Sequence, residues 1–172
     1  MAIYALGDRV PDIDPSAYVH PDATVIGSVT IGPEATIWPQ VVMRGDYGEI
    51  IVGARTSVQD GTIVHATAEF STRIGAGCVV GHAVHLEGCT LEDGSLAGSG
   101  SIILHRVVVR SGAVVAANAV LTGGAEVPSG ATAMGVPARM RPDSVQPGMI
   151  ERSVAMYAEN GKRYRAELRR LD

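Results

Sequence analysis

Branched aliphatic residues recur at every sixth position along most of the chain, from residue 25 to about residue 133. A small or compact residue usually follows four positions later, as in I31GPEAT and V109RSGAV. A period of six matches neither an α-helix nor a simple amphipathic strand. It is typical of a parallel β-helix, in which three six-residue units form one triangular coil and successive coils stack. The pattern therefore predicts an all-β fold, a parallel β-helix built from hexapeptide repeats.

The repeat is interrupted twice, once over residues 45–51 and once over residues 66–73. The first interruption, within M43RGDYGEII, carries three additional residues, and the second reads as an inserted loop. Departures from an otherwise regular repeat are frequent places for function, because regularity alone would favour their removal. We therefore expect functional residues near these two segments.

The end of the chain follows a different pattern, with apolar residues spaced alternately four and three positions apart. This spacing predicts one amphipathic helix. Its apolar stripe comprises Ile150, Val154, Tyr157, Gly161, Tyr164, Leu168 and Leu171. We expect the helix to pack along the outside of the β-helix, and the helix or a second subunit to cover the outward-facing Trp38. The predicted organisation is a β-helix with an entry segment and cap over residues 1–142, followed by a C-terminal helix over residues 143–172.

Composition fits this architecture and narrows the possible partners. Aromatic residues make up only 4% of the 172 residues and glycine numbers 21, so the core must be narrow and aliphatic. A formal charge of −4 and a pI near 5.7 argue against nucleic acid as the main partner. The sequence shows no signal-peptide pattern and no apolar stretch of membrane-spanning length, and its two cysteines suggest a reduced compartment. These features predict a cytoplasmic protein without membrane contact.

The repeat also predicts which side chains are neighbours on successive coils. Three outward-pointing residues follow inward aliphatic residues that are one coil apart, so they should stack: Arg44, His65 and Glu87. Neighbouring coils are about 4.8 Å apart, which puts His65 and Glu87 within reach of one metal ion. His85 lies on the same outward face as Glu87, on the other side of the inward Leu86. Imidazole and carboxylate are the ligands expected for Zn²⁺, Fe²⁺ or Co²⁺.

A further histidine, His82, falls on the corner before this face and points away from His65 within one subunit. It could reach the His65 face of a neighbouring subunit if three β-helices packed side by side. The residues alone leave open whether these histidines bind metal or simply lie at the surface of the coil corners. The two remaining histidines, His20 and His105, lie away from the column and are expected to be surface residues.

Four segments carry a resemblance to a known family: R44GD46 after an aliphatic run, V58QDGTIVH65, I74GAGCVVGH82 and G135VPAR139. In order and spacing the chain resembles the γ-class carbonic anhydrase family over nearly its whole length. Members of this family are trimeric left-handed β-helices with zinc or iron between subunits. Some relatives carry the label ferripyochelin-binding protein, and others are linked to carnitine or phenylacetate metabolism, including acyl-CoA thioester hydrolysis. The resemblance implies a left-handed β-helix and a homotrimer.

The resemblance also implies a set of metal ligands. His65 matches the first ligand, and His82 matches the second, which the adjacent subunit supplies. The usual third histidine of the family falls on Glu87, so the implied set is two histidines and one carboxylate. His85 could join Glu87 in this set or replace it.

Other positions match residues that surround the metal in the family. Arg44 and Asp46 match an ion pair at the trimer interface, and Asp60 falls in the same interfacial region. Gln59 and Asp60 match polar residues near the metal-bound solvent. Tyr157 lies on the C-terminal helix that follows the repeats.

The leading function implied by the resemblance is reversible hydration of CO₂ to bicarbonate by metal-bound hydroxide at a subunit interface. Gln59 would orient the solvent, and Glu49, Glu87 or Tyr157 would help to move the proton. A carboxylate ligand such as Glu87 should leave the bound water less acidic than a third imidazole would. Two alternatives are a hexapeptide-repeat acyl-CoA transferase or thioesterase, and a metal-binding scaffold without turnover. A small-molecule substrate is expected for either enzyme.

Overall fold

The computed structural model describes residues 2–172 as a stack of parallel coils with one helix along its side. Most strands are two or three residues long, because each coil turns a corner after every six-residue unit. The strands are, in chain order, β1 (Ala2–Tyr4), β2 (Asp12–Ile13), β3 (Tyr18–Val19), β4 (Thr24–Ile31), β5 (Thr36–Ile37), β6 (Val42–Val52), β7 (Ser57–Val58), β8 (Ile63–His65), β9 (Thr72–Ile74), β10 (Val79–Val80), β11 (His85–Glu87), β12 (Thr90–Leu91), β13 (Leu96–Ala97), β14 (Ile102–Ile103), β15 (Val108–Val109), β16 (Val114–Val115), β17 (Val120–Leu121), β18 (Glu126–Val127), β19 (Thr132–Met134) and β20 (Arg139–Arg141); the helix is α1 (Met149–Glu167).

The strands form three faces of a left-handed parallel β-helix of about seven turns, so the predicted fold is confirmed. The first face contains the start of β4, the start of β6, and β8, β11, β14 and β17. The second face contains the ends of β4 and β6, and β9, β12, β15 and β18. The third face runs from β3 through β5, β7, β10, β13 and β16 to β19. The antiparallel strand β20 pairs with β19 and ends the stack.

The core is a set of inward aliphatic ladders. On the first face, Met43, Val64, Leu86, Ile103 and Leu121 are direct neighbours on successive coils. Each of these five residues is at most 1% exposed. Full burial of such a side chain contributes about 1.5–3 kcal/mol to stability. The narrow coil leaves room for single aliphatic side chains, which explains the low aromatic content.

The first interruption of the repeat is a bend in a long strand. β6 continues without a break from the first face, where it pairs with β8, to the second face, where it pairs with β9. β4 bends beside it, and Gly27 pairs with Gly45 at the bend. A Cβ atom at Gly45 would lie only 2.4 Å from the carbonyl oxygen of Ser28. The additional residues therefore carry the strand around a corner, and two glycines allow the close contact there.

The helix α1 covers the third face. Its buried residues Ile150 and Val154 pack with Val79 and Val114 of the sheet. Trp38 is 6% exposed and lies in edge-to-face contact with the rings of Tyr157 and Tyr164, as the sequence predicts. No helix in the part of the chain that the structure describes has the length and apolar character needed to span a membrane.

The helix is shorter than the predicted range of 143–172. It begins at Met149 and ends at Glu167, and Leu168 takes an extended conformation. Leu168 and Leu171 are 49% and 84% exposed, so their assignment to the buried stripe is wrong. The third sheet ends at its edge strand β3, which Tyr164 of the helix reaches through Tyr18. The helix therefore ends beside the edge of this sheet.

Candidate functional site

The register of the first face brings the predicted site residues together. His65 pairs with Arg44 on one side and with Glu87 on the other. Nδ1 of His65 lies 3.3 Å from Oε1 of Glu87, and Nε2 of His85 lies 3.2 Å from Oε2 of the same carboxylate. The predicted column of Arg44, His65 and Glu87, with His85 beside it, is therefore present in one chain.

Asp46 links this column to the bend in β6. Arg44 donates a hydrogen bond to Oδ2 of Asp46, and Oδ1 of Asp46 lies 3.0 Å from Nε2 of His65. Partial burial alone would raise the pKa of Asp46, but hydrogen bonds from His65 and Arg44 outweigh it and hold this pKa below the usual value. The Arg44–Asp46 pair, predicted for the trimer interface, thus also orients His65 within its own chain.

His65 lies between two carboxylates, one at each ring nitrogen. An imidazole can donate at both nitrogens only when it carries an additional proton. A metal ion bound to one nitrogen would take the place of such a proton. Both ring nitrogens of His65 therefore face carboxylate oxygens, and a metal ion at either nitrogen would have a carboxylate beside it.

His105 also belongs to this cluster, so the expectation that it lies away from the column is wrong. Its Nε2 lies 3.3 Å from Oε1 of Glu87, and three imidazoles surround that carboxylate. Burial alone would raise the pKa of Glu87, but the imidazoles of His85, His105 and His65 outweigh it and hold this pKa below the usual value. The register places His105 one coil beyond Gly88, and the turn of its ring back towards Glu87 has no signal in the repeat.

Thr72, at the end of the inserted loop, links β8 to the end of β11 through hydrogen bonds. Its buried hydroxyl donates to the carbonyl of His65 and accepts a 2.8 Å hydrogen bond from the N–H of Gly88. These are backbone groups of the site residue His65 and of the residue after Glu87. The second interruption of the repeat thus fixes the spacing between the two predicted ligands.

Replacement of Thr72 tests this role. Thr72→Val keeps the shape but leaves two buried backbone groups without a partner, so we expect it to lower the free energy of unfolding by about 2 kcal/mol. Thr72→Ser keeps the hydroxyl and removes one methyl group, which should cost no more than about 0.8 kcal/mol. Urea denaturation of both variants measures the difference. Equal losses in the two variants would contradict a role for the hydroxyl.

A second cluster lies at the corner that joins the third face to the first. Nδ1 of His82 is 3.0 Å from Oδ2 of Asp60, and about half of each side chain is exposed. The neighbouring Gln59 is 3% exposed. Burial raises the pKa of the Tyr157 phenol, although a hydrogen bond with Gln59 acts in the opposite direction. The structure therefore groups His82, Asp60, Gln59 and Tyr157 on a corner separate from the His65 column.

Glu49 belongs to neither cluster. It lies beyond the bend of β6, and within residues 2–172 its charged partner is Arg73, at 3.5 Å, on the second face. Both side chains are more than half exposed. The structure does not bring Glu49 together with the imidazoles that surround Glu87.

A mainly apolar row, interrupted by His85, runs beside the His65 column on the first face. It consists of the outward residues Val42, Ile63, His85, Ile102 and Val120, each paired with the next. Ile63 and Ile102 are 47% and 37% exposed. Branched aliphatic side chains that remain exposed in line on a flat sheet are suited to an interface.

The donor chemistry of these residues fits a divalent transition metal. Imidazole nitrogens and a carboxylate oxygen are ligands that Zn²⁺, Fe²⁺ and Co²⁺ accept, and the buried Nε2 of His105 has no hydrogen bond. Within residues 2–172, however, no three histidine, cysteine or acidic side chains are arranged to hold a metal ion. A complete ligand set would need a donor that one chain does not supply in this arrangement.

Comparison with known proteins places this geometry among hexapeptide-repeat proteins. No protein-family model matches the sequence. "Gamma carbonic anhydrase 2, mitochondrial" of Arabidopsis thaliana is 39% identical over 138 residues, which cover 77% of this chain and 50% of that protein. "Carnitine operon protein CaiE" of Escherichia coli K12 is 36% identical over 139 residues, which cover 81% of this chain and 71% of CaiE. The chain thus spans about half the length of that plant relative.

Two solved structures with high similarity to this chain carry transferase names. A hexapeptide transferase family protein from Anaplasma phagocytophilum superposes with a TM-score of 0.91 at 33% identity, covering 95% of this chain and 98% of that chain. A putative acetyltransferase from Bacillus cereus superposes with a TM-score of 0.94 at 30% identity, covering 97% of this chain and 98% of that chain. Both likenesses extend over the coils and the helix alike.

Proposed function

Because the chain belongs to the γ-carbonic-anhydrase-like family of hexapeptide-repeat proteins, we propose that it hydrates CO₂ reversibly to bicarbonate with a divalent metal ion. The observation that carries the proposal is the contact of His65 with Glu87 on adjacent coils, with Asp46 at the other nitrogen of His65. The metal would be Zn²⁺, or Fe²⁺ or Co²⁺, which accept the same ligands.

The proposed site lies between subunits of a homotrimer. His65 and Glu87 of one subunit would bind the metal together with His82 of the partner subunit, and His85 could join or replace Glu87. The exposed apolar row next to His65 supports an interface on this face. The exposed position of His82, on a different corner, supports its use by a neighbour. Three-fold closure would generate three equivalent sites.

When bound, the metal would lower the pKa of a water molecule and make it a nucleophile near neutral pH. Gln59, which precedes the His82 partner Asp60 in the chain, would orient that water with its buried amide. Asp46 would hold the ring of His65, and Arg44 would hold Asp46. The raised pKa of Tyr157 keeps its phenol protonated, which suits a hydrogen bond with Gln59 better than proton transfer.

Acyl transfer or hydrolysis of a coenzyme A ester is a second candidate. The extensive structural similarity to a hexapeptide transferase family protein and a putative acetyltransferase favours it. A histidine at an exposed corner, such as His82 paired with Asp60 at 3.0 Å, is suited to general base chemistry on a thiol or amine. A third possibility is a scaffold that binds metal without turnover. The three imidazoles that surround the Glu87 carboxylate support it.

Metal content measured beside oligomeric mass tests the proposal. The untagged protein, purified in air and anaerobically, should contain about one Zn or Fe per subunit and have the mass of a trimer. CO₂ hydration by that protein should stop on chelation and return with metal. Metal without hydration would favour the scaffold, and chelator-resistant hydrolysis of an acyl-CoA would favour the second candidate. A metal-free trimer that regains neither metal nor activity would contradict the proposal.

A further inference from the structure

His105 lies beside Glu87 in a position that its neighbours fix, and it is not part of the proposed ligand set. It lies one coil beyond Gly88, because Leu86 pairs with Ile103 on the next coil. Its side chain turns back across the corner, and Nε2 lies 3.3 Å from Oε1 of Glu87.

Space for this ring exists because residue 88 is a glycine. A Cβ atom at Gly88 would lie 2.9 Å from Cδ2 of His105 and 2.7 Å from Cβ of Phe70. The φ angle of Gly88 is +60°, a left-handed conformation that costs other residues about 1–2 kcal/mol. Gly88 therefore lets both rings close over the backbone next to Glu87.

Phe70, from the inserted loop, fixes the orientation of the His105 ring. The two rings are stacked, with centroids 5.7 Å apart and an interplanar angle of 26°. The guanidinium carbon of Arg106 lies 5.9 Å from the centroid of the Phe70 ring. The loop itself is closed by a 3.1 Å hydrogen bond from the N–H of Phe70 to Oγ1 of Thr67. The inserted loop thus holds an aromatic ring against His105.

The ring nitrogen that faces Glu87 has an unusual environment. Nε2 of His105 is buried without a hydrogen bond, although 42% of the side chain is exposed. Buried polar atoms without a partner are rare in proteins. The nearest charged oxygen is Oε1 of Glu87, which also lies 3.3 Å from Nδ1 of His65. The imidazole therefore limits the positions that the carboxylate can take on that side.

We propose that His105 is a positioning residue that fixes the Glu87 carboxylate and thereby raises the affinity of the site for a divalent metal ion. The inference rests on the proposed function, in which Glu87 is a ligand. Outer-shell groups that hold a metal ligand in place typically contribute about 10–100-fold to metal affinity. His105 does this for the carboxylate that stands at the position of the family's third imidazole.

The His105→Phe variant tests the proposal, because phenylalanine keeps the stack on Phe70 and removes Nε2. We expect the Zn²⁺ dissociation constant, measured by competition with a chromogenic chelator, to rise about 10–100-fold. Phe70→Leu, which loosens the ring but keeps the nitrogen, should have a smaller effect. His20→Gln, which removes an imidazole beside Asp22, is the control and should leave the constant unchanged. An unchanged constant in His105→Phe would overturn the role of His105 alone.

A second measurement needs no metal. In chelator-treated protein at one concentration, the melting-temperature shifts of His105→Phe and Glu87→Gln should combine non-additively, by about 2 °C or more. Additive shifts would overturn the contact between the two side chains. Failure of the parent protein to bind Zn²⁺ would overturn the proposed function, and with it the metal role of His105, whatever the shifts are.

Discussion

Alanine at Gly45 is expected to lower the melting temperature by about 6–12 °C, which corresponds to a loss of about 3 kcal/mol. The added Cβ would lie 2.4 Å from the carbonyl oxygen of Ser28 and 3.1 Å from its nitrogen. Both are backbone atoms of the neighbouring strand, so the two strands must separate at the bend. Asp46 follows directly, and its 3.0 Å contact with His65 should weaken as well.

Gly123 provides a matched control for this prediction. Its φ angle, like that of Gly45, lies outside the left-handed range, and the nearest atom to an added Cβ is Nη2 of Arg106 at 3.6 Å. Gly123→Ala should therefore change stability by no more than about 0.5 kcal/mol. Thermal unfolding of both variants, followed by circular dichroism, measures the contrast. A similar melting temperature for the two variants would contradict close contact at the bend.

Alanine at His82 is expected to lower metal affinity by more than about 100-fold, since outer-shell partners alone contribute 10–100-fold. The coil should remain folded, because His82 is an exposed corner residue whose side chain contacts Asp60. Alanine at His65 should have the same effect on metal binding. Metal analysis of each purified variant measures these losses. Full occupancy in His82→Ala would contradict its role as a ligand.

Mixed trimers show whether the two histidines come from different subunits. The two variants carry different tags, are co-expressed, and are purified through both tags, so every trimer contains subunits of both kinds. If each site takes His65 from one subunit and His82 from the next, every mixed trimer has one intact site, about one third of the normal metal content. If both histidines came from one subunit, no site would be intact and no metal would return.

The period of the repeat predicts the fold and part of the site. A six-residue unit fixes which residue begins each coil, and the pairing of Glu87 with His65 follows directly from it. The same register predicts that Trp38 faces outward, where α1 covers it. These are statements about backbone neighbours, and a regular stack determines backbone neighbours without further information.

A backbone register of this kind does not predict the contacts of side chains that turn across a corner of the coil. His105 follows the residue that lies above Glu87, and only its rotamer and the absence of a Cβ at Gly88 bring its ring back to the carboxylate. The contact with Phe70 depends on the conformation of an inserted loop, which has no repeat to constrain it. The apolar spacing also overestimates the length of α1, for a related reason. An apolar spacing continues past Glu167, but the sheet that would bury it does not.

The path of α1 determines which surface of the growing chain stays uncovered during synthesis. The helix runs back from the late coils, where Ile150 contacts Val114, to the first coil, where Arg165 donates to the carbonyls of Pro15, Ser16 and Ala17.

A solenoid whose coils touch only their neighbours can assemble and come apart from one end. Here a segment that is synthesised after the coils closes over the first of them. Until then, the third face presents Val79, Leu96 and Val114 without their cover. Nascent chains that stop short of Met149 should therefore associate with one another through this face, and chains that include α1 should unfold in a single cooperative step.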